Sequence, residues 1–197
     1  MNKKLLKQQR QEEICLSLKK LDYLSRSQIQ RLHRLGSTRN ANRVLKDMEE
    51  YLYSFQSGEN VYYLNKEGRL MVNCEKICKK TPQVNHYIMR NWLFITLGCP
   101  ITWKNEIKFT KLDEKISVVC DAMFMNKDRI CIIEADYSQK MCENKKKIKK
   151  YKHLKDTGTF MIAPKIYWIT TTEYRRKQLL ALCEGLDTTI YLVSDFH

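Results

Sequence analysis

Residues Ile116 to Tyr137 read ISVVCDAMFMNKDRICIIEADY. Two apolar runs flank a polar connector, Asn126-Lys127-Asp128-Arg129. This is the pattern of two antiparallel strands joined by a tight turn. Pairing Met125 with Ile130 brings Asp121 opposite Glu134, and alternation puts Asp136 on the same face two residues on. Strict alternation sorts the remaining side chains. Val119, Asp121 and Met123 fall with Ile132 and Glu134, while Cys120, Ala122 and Phe124 fall with Cys131, Ile133 and Ala135. Both faces are apolar apart from the acids, so the sheet should be covered on both sides in an α/β layering. Like charges opposed on an apolar face are destabilising by themselves. They require a divalent cation, a bound proton or nearby lysines.

The segments around this hairpin continue the α/β pattern. Upstream, Pro82 can open a helix, PQVNHYIMRNWLFITLG, that ends at Gly98. Ile101 to Phe109 reads as a strand. Downstream, Met141 to Lys155 carries seven lysines, and Ile148, Tyr151 and Leu154 give it a face that can dock on the sheet. Its lysines then project outward, either into solvent or towards phosphates. KIYWITT, from Lys165, is a buried-type strand. Glu173 to Glu184 is a helix stopped by Gly185, and TIYLVS, from Thr189, closes the sheet.

The 197 residues suffice for one large or two small domains, and the formal net charge is +14. So basic a chain usually meets a polyanion, most often nucleic acid. No apolar run approaches the ~18 residues of a membrane-spanning helix. The charged start, MNKKLLKQQRQEE, lacks a signal-peptide core. Eight cysteines, several within apolar runs, fit reduced thiols acting as small hydrophobes. A cytoplasmic protein without a membrane partner is expected. Cys74 and Cys78, with His86 downstream, lack the second pair that a zinc site needs.

The first third reads as helices. Leu5, Leu6, Ile14, Leu18, Leu21 and Leu24 form a loose stripe. Ser25 is a natural N-cap for SRSQIQRLHRL, and Gly36 ends that helix. Ser37 caps the next, STRNANRVLKDMEEYL, expected to reach Leu52 with Ala41, Val44, Leu45, Met48 and Leu52 inside. Two short helices about a Gly-containing turn are a helix-turn-helix candidate. The outer face of the second carries Ser37, Thr38, Arg39, Asn40, Asn42, Arg43 and Lys46. Arg and Asn are the side chains that read guanine and adenine edges in a major groove. Two β-prone runs around Ser57-Gly58-Glu59-Asn60 then predict a hairpin.

Helix, turn, helix and hairpin in this order, over roughly residues 10 to 75, resemble an N-terminal winged helix-turn-helix, and VYYLNKEGR (Val61 to Arg69) resembles its wing end. The order after residue 82 resembles the PD-(D/E)XK nuclease core, in which acids on neighbouring strands bind Mg²⁺. The fold class implied is α+β: a winged helix over 1–78, then a nuclease-like α/β domain with a mixed sheet flanked by helices over 79–197. Asp121 matches the first acid and Glu134 the second. A lysine normally follows the second acid by two residues, and Asp136 stands there instead. Lys140, Lys145 or Lys149 could supply the missing ammonium. The resemblance therefore implies a catalytic set of Asp121, Glu134, Asp136 and Lys145. It implies a metal set of Asp121, Glu134 and Glu106, with Mg²⁺ or Mn²⁺ as the ion.

CDAMFM, ICIIEAD and KIKKYKHL together give an acid pair, E-x-D, followed by a helix with a K…Y pattern at Lys147 and Tyr151. With the winged helix, this resembles the replication-relaxation family of plasmids and other mobile elements. The resemblance implies a role in the element's DNA replication and relaxation, in contact with replication or relaxation proteins of the same element. The Arg- and Asn-bearing helix face implies double-stranded DNA as partner, and specific recognition of paired half-sites a homodimer. Three functions stay open: a DNA-binding protein with a non-catalytic nuclease-like domain, a Mg²⁺-dependent nicking endonuclease, and a winged-helix transcription regulator.

Overall fold

The computed structural model describes residues 3–111 and 113–196. The chain is α+β and divides into two compact units, Met1–Asn91 and Trp92–His197. Sequence reading put the boundary after residue 78. In the structure the division falls inside a helix, because residues beyond 78 are stitched into the first unit. Arg90 Nη2 donates to the Leu21 carbonyl (2.8 Å), and Asn91 Nδ2 donates to those of Leu21 (3.0 Å) and Tyr23 (2.6 Å).

The first unit opens with α1 (Lys3–Leu21), β1 (Leu24–Ser25), α2 (Arg26–Leu32) and α3 (Thr38–Lys46). There follow β2 (Leu52–Ser57), β3 (Glu59–Leu64), α4 (Lys66–Met71) and the start of α5 (Val84–Thr96). Ile14, Leu18, Leu21 and Leu24 are buried, but Leu5 and Leu6 are exposed, as is every residue from Lys4 to Arg10. Ser25 forms a capping box on α2: its Oγ accepts from the Gln28 amide, and Gln28 Oε1 accepts from the Ser25 amide.

The α3 helix stops at Lys46, short of the expected Leu52. The reason is that Leu52 enters a ladder opposite Leu64, with Gly58 at the hairpin tip in the left-handed region (φ +74°). Strand β1 pairs with β3 on its other side, giving the order β1-β3-β2. NKEGRLM does not prolong the hairpin. Asn65 Oδ1 caps a short helix there, α4, by accepting from the Gly68 amide (3.0 Å).

The second unit holds a five-stranded mixed sheet in the order β4-β5-β6-β7-β8. Its strands are β4 (Lys104–Lys111), β5 (Ile116–Asn126), β6 (Arg129–Asp136), β7 (Lys165–Thr170) and β8 (Asp187–Leu192). β5 runs antiparallel to both its neighbours, β4 and β6, and the last three strands are parallel. The parallel connections run through α6 (Met141–Asp156) and α7 (Glu173–Leu182), as βαβ units require. One face of the sheet is buried with Ile148, Tyr151 and Leu154 of α6 and Leu179 of α7. On the other, Phe124 stacks with Trp103 and with Tyr167.

The β5–β6 register is the expected one, Met125 opposite Ile130. Its alternation does not survive to the start of β5. Val119 is 48% exposed, whereas Val118 and Cys120 join Ile132, Ile148 and Tyr151 in the core. The ladder ends at Ala122–Ile133, where Asp121 Oδ2 takes the Ala135 amide (2.7 Å). On the neighbouring strand Glu106 lies at the same level, between the Asn105–Ala122 and Ile107–Cys120 pairs, with φ +55°. A left-handed non-glycine residue inside a strand marks a local kink. Both strands break step there, which swaps the faces of Cys120 and Val119. No helix among the described residues is long and apolar enough to cross a membrane.

Candidate functional site

The acid cluster forms where β5 and β6 meet α6. The sheet presents Asp121 at the kink, then Glu134 and Asp136 two residues apart at the carboxyl end of β6. Over them α6 lays Asn144, Lys147 and Tyr151, which share one face of a helix of 3.6 residues per turn. Lys147 Nζ lies 2.5 Å from Glu134 Oε2 and 3.8 Å from Asp121 Oδ1. The Tyr151 hydroxyl donates to Glu134 Oε1. Glu134 is 1% exposed and both its oxygens are engaged.

The electrostatics follow from this enclosure. Burial pushes Glu134 up to about 8, with the Asp121 charge adding to the rise and Lys147 opposing it. Burial also works against the Lys147 ammonium, but Glu134 and Asp121 outweigh it and raise Lys147 above its ordinary value. Tyr151 rises well above the usual phenol range through burial and then the Glu134 charge. Cys120, beneath the cluster, is pushed up to about 12 by burial and then Glu134, so it is an inert thiol.

Asp136 has a separate set of partners. Arg175 of α7 grips it with two nitrogens, Nη2 to Oδ1 at 2.6 Å and Nε to Oδ2 at 2.8 Å. Thr170 donates to Oδ2 (2.7 Å) and Asn144 to Oδ1 (2.8 Å). With 0% exposure and four donors, this carboxylate ties β6, β7, α6 and α7 together. Arg175 also reaches the Gln139 carbonyl at 2.6 Å, which fixes the loop before α6.

Of the residues read from the sequence, the structure brings together Asp121 and Glu134 and sets Asp136 beside them in its own nest. It does not bring in Glu106, which is exposed at the kink. Lys145 and Lys149 are exposed on α6, and Lys140, just before the helix, is exposed too. The ammonium at the acids belongs to Lys147, whose helical spacing from Asn144 and Tyr151 was a legible signal. Arg175, beyond the next strand, had no local signal. Among the described residues no three His, Cys, Asp or Glu side chains are grouped to hold a metal. Cys74 and Cys78 are free thiols.

A Mg²⁺ or Mn²⁺ ion does not fit this donor set. Such an ion needs carboxylate oxygens with free lone pairs at ~2.0–2.1 Å and normally keeps several waters. Glu134 offers neither a free oxygen nor solvent, and Asp121 Oδ2 is held by the Ala135 amide.

The first unit contributes a basic helix face. Ser37 caps α3 by accepting from the Asn40 amide (3.3 Å). Ala41, Val44 and Leu45 are buried, while Thr38, Arg39, Asn42, Arg43 and Lys46 are exposed. Asn40 is engaged at both ends. Its Nδ2 donates to the Leu35 carbonyl (2.7 Å) and its Oδ1 accepts from Arg43 (2.7 Å). The hairpin is tied to α2 through Glu59, which accepts from the Ser27 amide (3.0 Å) and pairs with Arg26 (3.1 Å).

This arrangement defines a two-unit α+β protein with a buried acid cluster on a mixed sheet. Residues 16–165 match the family model described as replication-relaxation, and the chain belongs to that family. Membership suggests a role in the replication or relaxation of a plasmid or other mobile element. No curated protein and no solved structure matches the chain.

Proposed function

We propose that the chain is a double-stranded-DNA-binding protein of a plasmid or other mobile element, acting in its replication or relaxation. In this reading the first unit is a winged helix-turn-helix that inserts α3 into the major groove. The second is a PD-(D/E)XK-like domain that has lost hydrolysis. The carrying observation is the capped α3, with Arg39, Asn42, Arg43 and Lys46 exposed and a hairpin following it. Family membership and the net charge of +14 support the same partner. Paired half-sites would call for a homodimer, and replication or relaxation proteins of the element are the expected co-actors in the cytoplasm.

The test is binding to duplex DNA from the element's replication origin, followed by fluorescence anisotropy. Arg39→Ala and Arg43→Ala should each weaken specific binding by roughly 1–3 kcal/mol per lost bidentate base contact. Unchanged affinity in both would remove α3 from the interface. A nicking endonuclease is the second reading, favoured by Asp121 and Glu134 converging on one ammonium. It requires metal-dependent nicking of supercoiled cognate plasmid, lost in Glu134→Gln with DNA affinity intact.

A further inference from the structure

We propose that the ε-ammonium of Lys147 is the resident cation of the acid cluster, standing between Asp121 and Glu134 in place of a divalent metal and making the second unit a metal-independent module. The argument starts from charge. Asp121 and Glu134 converge on α6, and Glu134 is closed off from solvent. Two acids so placed cannot both ionise without a positive charge close by. Lys147 Nζ supplies it at 2.5 Å and 3.8 Å.

Geometry makes the substitution durable. Lys147 is one helical turn before Tyr151 and nearly one turn after Asn144, and all three side chains bond to the acids of β6. The α6 helix is further anchored by buried Ile148 and Leu154. Lys147 therefore cannot leave Glu134 without stripping a buried carboxylate of its charge partner. An ammonium has three donors and no coordination chemistry. It offsets the charge of the acids but offers no open coordination position at which a water or a phosphoryl oxygen could bind as it does to a metal. The ammonium missing at the position of Asp136 stands here at Lys147, where it is engaged by Glu134 and Asp121. The site keeps its acids as a structural device.

This proposal rests on the nuclease-like reading of the second unit but not on DNA binding, which is measured separately. The probe is Mn²⁺ itself, added to the full-length protein at pH 8.5 and followed by the electron paramagnetic resonance of the free ion. Wild-type protein should show no stoichiometric Mn²⁺ uptake that Glu134→Gln removes. Lys147→Met should gain one Mn²⁺ site, and adding Glu134→Gln to that variant should abolish it. A wild-type site lost in Glu134→Gln would overturn the proposal, making Lys147 a neighbour of a metal. A folded Lys147→Met without Mn²⁺ uptake would also overturn it. Should Lys147→Met not fold, the melting temperature of wild type decides. It should be the same in 10 mM Mg²⁺ as in excess chelator, a probe concentration on the order of those that saturate weak carboxylate sites. A rise with Mg²⁺ that Glu134→Gln cancels would refute the idea. Loss of DNA binding in any variant bears on the proposed function alone.

Discussion

At the scale of single residues, the acids of β6 do different work. Asp136 is held by four donors, two of them from Arg175. Removing the guanidinium leaves a buried carboxylate short of charge. Arg175→Met should therefore cost about 3–5 kcal/mol in a denaturant titration. A loss below 1 kcal/mol would mean that water replaces the guanidinium at little cost. Glu134 behaves differently because its folded value of about 8 lies above the ordinary 4.5. Between those values the folded chain holds a proton that the unfolded chain has released, so stability falls as pH rises through the window. Lys147 is also raised, so its contribution persists until alkaline pH exceeds the ordinary lysine range. The melting temperature of wild type should drop from pH 5 to pH 8, and Glu134→Gln should flatten that slope. An identical slope in the variant would show that Glu134 does not titrate there. Asp121 needs a careful substitution. Asp121→Ala orphans the Ala135 amide, at about 1–3 kcal/mol, so only Asp121→Asn, which keeps an acceptor oxygen, separates chemistry from folding.

At the scale of elements, the hairpin, α6 and the parallel strands were legible because their periodicities are strong. The Met125–Ile130 register followed from the length of the polar connector alone. The kink was not legible. It depends on Glu106 adopting a left-handed conformation, and no glycine or proline marks that position. For the same reason the alternation rule misplaced Cys120 and Val119. The end of α3 was also missed, since the stripe through Met48 and Leu52 is compatible with helix until tertiary pairing claims Leu52 for the sheet. The α4 helix escaped because Val61 to Arg69 reads as the end of a wing, whereas Asn65 uses its side chain as a helix cap. Gly68 is needed there for room. A Cβ at this position would lie 2.2 Å from the Tyr51 carbonyl oxygen. Gly68→Ala should destabilise the first unit by about 1–3 kcal/mol through overpacking, measured by thermal or denaturant unfolding. A neutral or stabilising result would show that the Tyr51 turn yields.

At the scale of the whole molecule, the charge of +14 is distributed unevenly in its use. Lys147 is turned inward, while Lys145, Lys149 and Lys150 of the same helix are exposed. If α6 meets the DNA backbone, Lys149→Ala and Lys150→Ala should weaken binding equally for all sequences. Each should also reduce the slope of log affinity against log salt by about 1. Arg39→Ala should instead relax sequence preference. No change in slope would restrict these lysines to a solvated face. The position of the division within α5 governs how the protein can be dissected. A fragment cut at Cys78 would discard Arg90 and Asn91, which close the end of α1 on the Leu21 carbonyl, and would take Arg90 from Asp22. It would also lose Val84, whose side chain packs with Tyr23 and Val61. The first unit, isolated by proteolysis or truncation, should therefore stay folded only when it retains the chain through Asn91, and the shorter piece would fail for want of its own closing helix.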